Sequence, residues 1–472
     1  MNILEMLKAS DKIALIQGKQ RVTYAELLKM GLGFGDVLRR AGGISHGQHV
    51  LVFVPLSIQL YKAMIGAWSI GAIPIFIDYS RGAAFVNDSI KRLTPDIIVH
   101  DGITGIIRRN YAEMRKIRAL HVKQTGETVD IAQLDADHAA ILTFTSGSTG
   151  APKIAARSHG FLINQYNVLR QHVDFNENHI DLGTLPVFTL ANMASHMTTL
   201  LPDRGYRSKI KPRKLAAQME HEGVSRVICS PALISQLLEH SKLPALRQAY
   251  LGGAPVYPSV LSKVGSHIDL HIVYGSTEAE PISGVRWADV TDEGKQRIAQ
   301  GAGLPVGRVV PQVECQIEPS GEIIVSGDTV LKGYLGGIGD ADNKLHRDGK
   351  IWHRTGDAGY FDDEGRLWLL GRVSQAIHDA HGTLYPFCAE CILDAHLGIR
   401  GAIIARNNQR TIVVEESTAK ADLLEILAPL HITDVITVKK LPMDKRHGAK
   451  IDYGKLLEMF PAEDSELSRS DN

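Results

Sequence analysis

Short apolar runs alternate with longer amphipathic stretches along the first third of the chain. From Thr23 onward apolar residues follow at helical spacing, Thr23 is a candidate N-cap, and Gly42 and Gly43 end the pattern. Runs rich in Val, Ile or Leu predict buried strands at residues 49–54, 73–77, 96–100 and 139–145. Because such runs alternate with helices, the sequence predicts an α/β protein with largely parallel sheets.

The pattern of apolar and polar residues changes in the second half of the chain. Residues 225–240 and 245–256 still combine strand-like and helix-like patterns, but from residue 321 onward hairpin-like strands take over. The sequence "DDEG" at 362–365 predicts a turn between two of these strands. From about residue 374 a smaller, mixed segment follows, and it ends in a polar tail for which we predict disorder.

Composition narrows the class of protein. A chain of 472 residues with 44% hydrophobic and 22% charged residues predicts a globular protein of two or more domains. Lys+Arg and Asp+Glu both total 52, so the net charge gives no general case for binding nucleic acid or an anionic membrane. The N-terminus lacks a signal-peptide pattern, and the uncharged stretch from residue 63 to 77 is too short to span a membrane.

Cysteine usage points to a reducing compartment. The chain has 4 cysteines, too few for a disulfide framework in this length. Cys388 and Cys391 form a lone C-x-x-C, and Cys229 and Cys315 do not supply a second pair at zinc-ribbon spacing. We therefore expect unlinked thiols in a soluble cytoplasmic protein.

The stretch "TFTSGSTGAPK" at 143–153 has the composition of a phosphate-binding loop. Its glycines let backbone N–H groups approach an anion, its hydroxyls add donors and Lys153 adds a positive charge. The spacing differs from the Walker A pattern, and Ile154 stands where that pattern needs a magnesium-binding hydroxyl. The loop therefore predicts a polyphosphate site of another kind, although such a loop in isolation is often only a turn.

Four more motifs follow the loop in a fixed order. They are "LGGAPV" (251–256), "VYGSTEAEP" (273–281), "HRTGDAGYFDDEGRLWLLGR" (353–372) and "PMDKRHGAKIDYGKL" (442–456). Together with "TSGSTGAPK" they resemble the adenylate-forming superfamily of acyl-CoA ligases, peptide-synthetase adenylation domains and luciferases. The resemblance covers residues 20 to 456 and implies that the chain joins a carboxylate to the α-phosphate of ATP and releases pyrophosphate.

The resemblance also implies a set of nucleotide-binding residues. The β- and γ-phosphate loop matches Thr145, Ser146, Gly147, Ser148, Thr149, Gly150 and Lys153. The adenine slot and the turn after it match Gly253, Ala254, Pro255, Tyr274, Gly275 and Ser276. Small residues there allow close approach, and the ring of Tyr274 can stack on a base.

Five residues match the catalytic and ribose-binding positions of the family. Thr277 matches a residue that binds the α-phosphate, and Glu278 matches the magnesium ligand, a hard carboxylate oxygen suited to Mg²⁺. Asp357 matches the acceptor of the ribose hydroxyls, and Arg372 the arginine before the hinge. Lys450 matches the lysine that bridges the substrate carboxylate and the α-phosphate. Taken singly, each of these would more often be a solvated or turn residue.

The acid pocket is predicted less sharply. The resemblance implies a mostly apolar pocket for the acid, lined by Phe188, Leu190, Ala191, Met193, Gly252 and Gly275. Apolar residues at these positions could equally belong to the core. Thr189 replaces the aspartate by which amino-acid-activating domains hold an ammonium group. Ser374 stands at the hinge position, "DAH" replaces a glycine pair, and the loop before Lys450 is longer than usual. These departures resemble the branch of fatty-acyl-AMP/CoA ligases and olefin-pathway β-lactone synthetases.

The resemblance implies a two-domain architecture. We expect a large N-terminal AMP-binding domain at residues 1–372, with β-sheets flanked by helices and a β-barrel-like subdomain. A small mobile α/β lid at 373–461 and a disordered tail at 462–472 complete the prediction. The lid is expected to rotate near Val373 and Ser374, so that one site serves two half-reactions.

The interpretation we favour is an acid–thiol ligase that uses ATP and Mg²⁺ and passes a fatty or other apolar acyl group to coenzyme A or to a phosphopantetheinyl carrier protein. Closure of a 3-hydroxyacyl adenylate to a β-lactone is the alternative. A kinase-like ATPase and a non-catalytic nucleotide-binding protein are further hypotheses, and the presence of Glu278, Asp357, Arg372 and Lys450 argues against the last. The class also allows a homodimer.

Overall fold

The computed structural model describes residues 1–145, 153–203, 211–406, 409–415, 420–443 and 451–460. The first strands along the chain are β1 (Ile13–Gln17), β2 (Gln20–Thr23), β3 (His49–Phe53), β4 (Ile73–Phe76), β5 (Ile97–His100), β6 (Ala119–His121), β7 (Ala139–Thr145) and β8 (Lys153–Ser158). Within the described residues, β3 to β8 form a six-stranded sheet in the order β6-β5-β3-β4-β7-β8. Its pairs are parallel except for β7 and β8. The four strands predicted in this region are confirmed.

Helices cover this first sheet. They are α1 (Tyr24–Arg40), α2 (Ile58–Ser69), α3 (Ala83–Leu93), α4 (Gly102–Ile107) and α5 (Ala112–Lys116). The side chain of Thr23 accepts a hydrogen bond from the backbone N–H of Glu26, so the predicted N-cap of α1 is confirmed. A Cβ at Gly31 would lie 2.3 Å from Cγ2 of Ile65, which explains why α1 carries a glycine in its interior despite the cost of about 1 kcal/mol.

A second, larger sheet contains β1, β2 and the strands that follow β8. These are β9 (Ile180–Leu182), β10 (Thr198–Leu200), β11 (Arg226–Cys229), β12 (Gln248–Leu251), β13 (Asp269–Ser276), β14 (Ala279–Arg286), β15 (Leu304–Val309), β16 (Val313–Ile317), β17 (Glu322–Gly327), β18 (Lys344–Arg347), β19 (Lys350–Phe361) and β20 (Leu367–Arg372). The main path runs β16-β17-β19-β20-β15-β14-β13-β12-β11-β9-β10-β1-β2. It is parallel from β13 to β1 and antiparallel from β13 to β16.

The hairpin-rich part of this sheet follows the sequence pattern. The turn predicted at 362–365 joins β19 and β20, which pair antiparallel. The helices between the strands are α6 (His159–His172), α7 (Pro186–Ala194), α8 (Pro212–Glu222), α9 (Pro231–Leu238), α10 (Pro258–Lys263), α11 (Asp292–Ala299) and α12 (Asp340–Asn343).

A smaller C-terminal α/β domain follows β20. Its strands are β21 (Ile377–Asp379), β22 (Gly382–Leu384), β23 (Gly401–Arg406), β24 (Gln409–Glu415) and β25 (Ile432–Val438), and its helices are α13 (Pro386–Leu397), α14 (Lys420–Leu427) and α15 (Tyr453–Met459). Strands β23, β24 and β25 form one sheet, with β23–β24 antiparallel and β24–β25 parallel. The α/β fold with a large and a small domain is therefore confirmed, while the boundary at residue 372 stays a prediction.

Helix α13 connects the two domains. Phe387 and Cys391 pack into the core of the large sheet, whereas Ala389, Ile392 and Leu393 pack into the core of the small domain. Polar contacts also join α13 to the large domain. The hydroxyl of Tyr257 donates to Glu390 Oε2 at 2.6 Å. The hydroxyl of Ser259 donates to Asp394 Oδ1 at 2.7 Å.

The four cysteines are free thiols, as the sequence predicts, and Cys229, Cys388 and Cys391 are buried. In the ranges that the structure describes, no helix is long and apolar enough to cross a membrane. The predicted disorder at 462–472 concerns residues outside those ranges.

Candidate active site

The predicted phosphate loop connects two paired strands. Thr145, the last residue of β7, is the cross-strand partner of Lys153, the first residue of β8. Ser146, Gly147, Ser148, Thr149 and Gly150 lie outside the described residues. Thr145 is buried, and its hydroxyl lies beside Glu278 and Tyr334. Strands β7 and β8 therefore form a hairpin with a buried hydroxyl at its base.

Lys153 is held at the opening of this hairpin. Its Nζ donates to Oδ1 of Asn343 at 2.5 Å and lies 5.4 Å from the centre of the Tyr334 ring. Burial lowers the pKa of Lys153, and the charges of Glu278 and Asp342 oppose that shift. The ammonium group is thus partly withdrawn from water and near the predicted magnesium ligand.

Glu278 lies in the tight turn between β13 and β14. Ser276 and Ala279 are cross-strand partners, so Thr277 and Glu278 form the two-residue connection. A Cβ at Gly275 would lie 2.9 Å from the carbonyl oxygen of Ala279, which favours glycine at that position. The backbone N–H of Glu278 donates to Oγ of Ser276 at 3.3 Å.

The carboxylate of Glu278 is buried and accepts a hydrogen bond at Oε1 from the hydroxyl of Tyr334, at 2.9 Å. Burial alone would raise the pKa of Glu278, but nearby His353, Thr145 and Tyr334 together hold it below its usual range. Burial and the charge of Lys344 lower the pKa of His353 to about 4, so this imidazole is neutral at pH 7. Glu278 is therefore an ionised acceptor in a water-poor site.

Three residues of this cluster have no counterpart among the sequence predictions. Tyr334, Lys344 and His353 surround Glu278, and with Lys153 and Glu278 we call them the charged cluster. The Nζ of Lys344 lies 5.3 Å from the centre of the Tyr334 ring and donates to the carbonyl oxygen of Leu331. Burial lowers the pKa of Lys344 to about 8. A lysine between an asparagine and a leucine gave no signal in the sequence, because its role depends on contacts distant along the chain.

Tyr274, Asp357 and Arg372 form a second group, the Asp357 cluster. The hydroxyl of Tyr274 donates to Oδ2 of Asp357 at 3.0 Å, and Nε of Arg372 lies 3.1 Å from Oδ1. Asp357 and Arg372 are cross-strand partners on β19 and β20. Burial, together with the Asp357 charge, raises the pKa of Tyr274 well above its usual value. The structure brings together three residues that lie far apart in sequence and that the resemblance assigns to one nucleotide.

The segment after β12 lies next to these groups. A Cβ at Gly252 would lie 2.7 Å from the carbonyl oxygen of Val273, and Gly253 has a left-handed backbone with φ of 73°. Ala254 and Pro255 are partly exposed. The glycine at position 252 therefore lets this segment lie close against the strand that carries Tyr274.

Two helices form an apolar groove. Its walls are the faces of α6 and α7, with one end formed by the N-terminal turn; we call it the α6–α7 groove. The lining residues are Leu162, Gln165, Tyr166, Leu169, Val187, Leu190, Ala191, Ala194, Ile3 and Met6. On each helix they follow a spacing of three and four residues, as expected for one helix face.

The predicted acid-pocket residues divide into two sets. Leu190 and Ala191 line the α6–α7 groove. Phe188 packs in a cluster with Leu169 and Tyr250. Met193 is 1% exposed and packs in the core between the first sheet and its helices. Phe188 and Met193 are not among the lining residues of the groove, and their place in the acid pocket stays a prediction.

A polar link joins the groove to the turn that carries Glu278. Nε2 of Gln165 donates to Oε2 of Glu280 at 3.5 Å, two residues after Glu278. Burial raises the pKa of Glu280 to about 7, and the Arg157 charge opposes this shift. Arg157 is itself buried, and its Nε has no partner within the described part of the chain. Gln165, Glu280 and Arg157 were not among the predicted site residues.

The position of Lys450 is outside the described residues, but its flanks are defined. Met443 and Ile451 pair as an isolated antiparallel bridge, so residues 444–450 connect two paired positions. Arg372 ends β20, and a short 3-10 turn, Val373–Gln375, follows at the predicted hinge. The expected role of Lys450 stays a prediction.

Comparisons with known proteins agree on the class. The structure of O-succinylbenzoate coenzyme A synthetase from Bacillus subtilis, in complex with AMP, aligns over 96% of this chain and 97% of that one, with a TM-score of 0.80 and 19% identity. ATP-bound MatB from Rhodopseudomonas palustris aligns over 98% and 99%, with a TM-score of 0.80 and 20% identity. At such identities these structures establish the fold.

The particular family follows from the sequence. The chain belongs to the family of AMP-binding enzymes, whose model matches residues 6–335. The curated relatives include an olefin β-lactone synthetase from Xanthomonas campestris, 28% identical over 88% of this chain and 86% of that protein. A feruloyl-CoA synthase from Amycolatopsis is 26% identical over 88% of each. The resemblance drawn from the five motifs is thereby confirmed.

Proposed function

We propose that the enzyme converts a largely apolar carboxylic acid to an acyl adenylate and then passes the acyl group to coenzyme A or to the thiol of a carrier protein. The observation that carries this proposal is the placement of three sites around one turn. The charged cluster and the Asp357 cluster form a nucleotide side, and the α6–α7 groove forms an acid side joined to it through Gln165 and Glu280.

The charged cluster fits a magnesium–triphosphate group. Across the described part of the chain, no three His, Cys, Asp or Glu side chains come together as metal ligands. Mg²⁺ in such enzymes needs little protein coordination, since one or two carboxylates and the substrate phosphates suffice. Glu278 supplies an ionised oxygen, and Lys153 and the hydroxyl of Thr145 lie beside it. When bound, the ion would offset charge on the phosphates.

The nucleoside is proposed to occupy the Asp357 cluster. A carboxylate is a strong acceptor for two vicinal hydroxyls, and Arg372 with Tyr274 fixes its orientation. Gly252, Gly253, Ala254 and Pro255, which lie beside the strand that carries Tyr274, are then proposed to bind adenine. Thr277, in the turn between the two clusters, is proposed to bind the α-phosphate together with Gly275 and Ser276 of the same turn.

In the first step, a carboxylate oxygen of the acid bonds to the α-phosphorus of ATP, and the bond to the bridging oxygen of pyrophosphate breaks. In the second step, a thiol sulfur bonds to the acyl carbon, AMP leaves and the thiol proton is released. Lys450 is proposed to bridge the two anions in the first step, because a fixed cation costs no reorganisation as charge develops.

The small domain is proposed to rotate between these steps, with residues 1–372 as the large domain and 373–461 as the lid. The contacts of α13 must then rearrange, since Glu390 and Asp394 are bonded to Tyr257 and Ser259 of the large domain. Tyr257 follows the proposed adenine slot by two residues, so nucleotide binding and lid position are linked through one short segment. Homodimer formation stays a prediction.

Lactone closure is a second candidate. Two olefin β-lactone synthetases, from Xanthomonas campestris and Stenotrophomonas maltophilia, match 88% and 89% of this chain at 28% and 26% identity. In that reaction the 3-hydroxyl of the substrate would attack the acyl carbon of its own adenylate, and AMP would leave without a thiol.

One experiment separates these functions. The purified protein is incubated with ATP, Mg²⁺ and acids of varied chain length and ring character, with and without coenzyme A. We expect AMP and pyrophosphate that depend on the acid, and an acyl thioester that depends on coenzyme A. Product from 3-hydroxy acids alone, without coenzyme A, would move the assignment to lactone closure. Release of ADP, or no dependence on any acid, would contradict the proposal.

A further inference from the structure

Residues 330–344, which we call the bracket segment, attach to Glu278 at both its backbone and its side chain. The backbone N–H of Leu331 donates to the carbonyl oxygen of Glu278 at 2.7 Å, and Val330 pairs with Ala279 as an isolated bridge. The hydroxyl of Tyr334 then reaches Oε1 of the Glu278 side chain at 2.9 Å. The segment therefore holds Glu278 along its whole length.

The same segment holds Lys153. Asn343, near its end, accepts a hydrogen bond from Nζ of Lys153 at 2.5 Å. A Cβ at Gly339 would lie 2.9 Å from the Lys153 side chain, and Gly339 has a left-handed backbone with φ of 92°. The glycine lets the segment press against the lysine stem. The bracket segment therefore contacts both Glu278, the candidate metal ligand, and Lys153, the lysine of the predicted phosphate loop.

Tyr334 lies at the centre of this arrangement and has little freedom. Its side chain is 5% exposed and packs against Ala155 and Leu331. Its backbone N–H donates to Oδ1 of Asp340 at 2.8 Å. The ammonium groups of Lys153 and Lys344 lie 5.4 Å and 5.3 Å from its ring centre, within the range of cation–π attraction. Its hydroxyl is therefore a fixed donor.

We propose that Tyr334 is a positioning residue whose hydrogen bond to Oε1 fixes the direction of the Glu278 carboxylate, which would hold the magnesium ion of the nucleotide complex. Mg²⁺ demands near-octahedral geometry, so a carboxylate that presents one oxygen in a fixed direction suits it better than a freely rotating one. Partners that orient a metal-binding carboxylate typically change metal affinity by about tenfold to a hundredfold when removed. This inference rests on the proposed function, because it takes Glu278 as the metal ligand.

The test is metal binding, measured apart from turnover. Free Mn²⁺ is titrated by electron paramagnetic resonance against the protein with α,β-methylene ATP, which cannot release pyrophosphate. Tyr334→Phe should weaken Mn²⁺ binding about tenfold. Tyr24→Phe is the matched control, because its buried hydroxyl donates to the carbonyl oxygen of Met197 at 2.7 Å, away from the charged cluster. That control should leave Mn²⁺ affinity unchanged.

A double-mutant cycle decides whether Tyr334 acts through Glu278. In a Glu278→Gln background, Tyr334→Phe should cause no further loss of Mn²⁺ affinity. A full additional loss would show that Tyr334 contacts the nucleotide complex itself and would overturn the proposal. Unchanged Mn²⁺ affinity in Tyr334→Phe alone would also overturn it, while wild-type protein that binds no Mn²⁺ with the analogue would contradict the proposed function itself.

Discussion

The proposed nucleotide side of the site is built from charged groups fixed by long-range contacts, whereas the proposed acid side is a groove between two helix faces. On the nucleotide side, Lys153, Glu278 and Asp357 each have a polar partner from a different element. On the proposed acid side, the apolar side chains of Leu190 and Ala191 line the α6–α7 groove. The two sides therefore respond differently to substitution.

The difference follows from what each side must do. Charge neutralisation depends on the identity and direction of a few groups, so a single atom changes the rate. An apolar pocket depends on volume, which many combinations of side chains can supply. Changes on the nucleotide side should slow the reaction of every acid alike, and changes on the acid side should alter the ratio between acids.

The largest effect is expected at Glu278. Glu278→Gln keeps the shape of the side chain but removes the charge that offsets the phosphates, so pyrophosphate exchange should fall roughly a hundredfold to a thousandfold for all acids. Exposed Glu314, paired with Lys350, gives the control Glu314→Gln. If Glu278→Gln slowed one acid and spared another, the division between the two sides would be wrong.

The next effect concerns the scaffold of the acid side. His159, at the start of α6, is fully buried, and its Nδ1 accepts the backbone N–H of Ile3 at 3.1 Å. Burial, with nearby His138 and the N-terminal ammonium group, lowers the pKa of His159 to about 4. Its neutral form is favoured on folding, so this stability is present above about pH 6.5 and is lost as the pH falls towards 4.

His159→Gln should remove that pH dependence, because an amide oxygen can accept the same N–H at any pH. Between pH 7 and pH 4 the wild type should lose about 2 to 3 kcal/mol more unfolding free energy than the variant, measured by urea denaturation. Parallel pH profiles of the two proteins would show that His159 does not titrate as its surroundings indicate.

A smaller loss is expected for the ribose acceptor. Asp357→Asn weakens the hydrogen bonds that a charged carboxylate would make, worth about 1.5 to 3 kcal/mol, so the KM for ATP should rise about tenfold or more. The order of preference among acids should stay as in the wild type. A reordered preference in steady-state kinetics would mean that Asp357 serves the acid.

The smallest effect is expected in the groove. Ala191→Leu adds volume where the acyl chain is proposed to lie, so the ratio of kcat/KM between short and long acids should change about tenfold, with the KM for ATP unchanged. Exposed Ile103 is far from the groove lining, and Ile103→Leu serves as its control. An equal loss for all acids would place Ala191 outside the acid pocket.

Features that depend on local sequence could be predicted, whereas features that depend on long-range contacts could not. Strands such as β3 and β5 and the cap at Thr23 were predictable, because burial and capping leave local patterns. Asp357 and Glu278 could be predicted as site residues because short motifs carry their chemistry. Tyr334 and His353 were not predicted, because their place in the cluster depends on contacts with Glu278 more than fifty residues away. For Phe188 and Met193, apolarity alone does not separate a pocket residue from a core residue, so their role stays a prediction.

Oxygen transfer tests the central claim, formation of an acyl adenylate, most directly. The enzyme is given ATP, Mg²⁺ and an accepted acid labelled with ¹⁸O in its carboxylate, and the products are analysed by mass spectrometry. Attack of the carboxylate on the α-phosphorus predicts AMP that carries one ¹⁸O atom and unlabelled pyrophosphate, whether a thiol or a hydroxyl takes the acyl group. Unlabelled AMP, or label in inorganic phosphate beside ADP, would contradict the account.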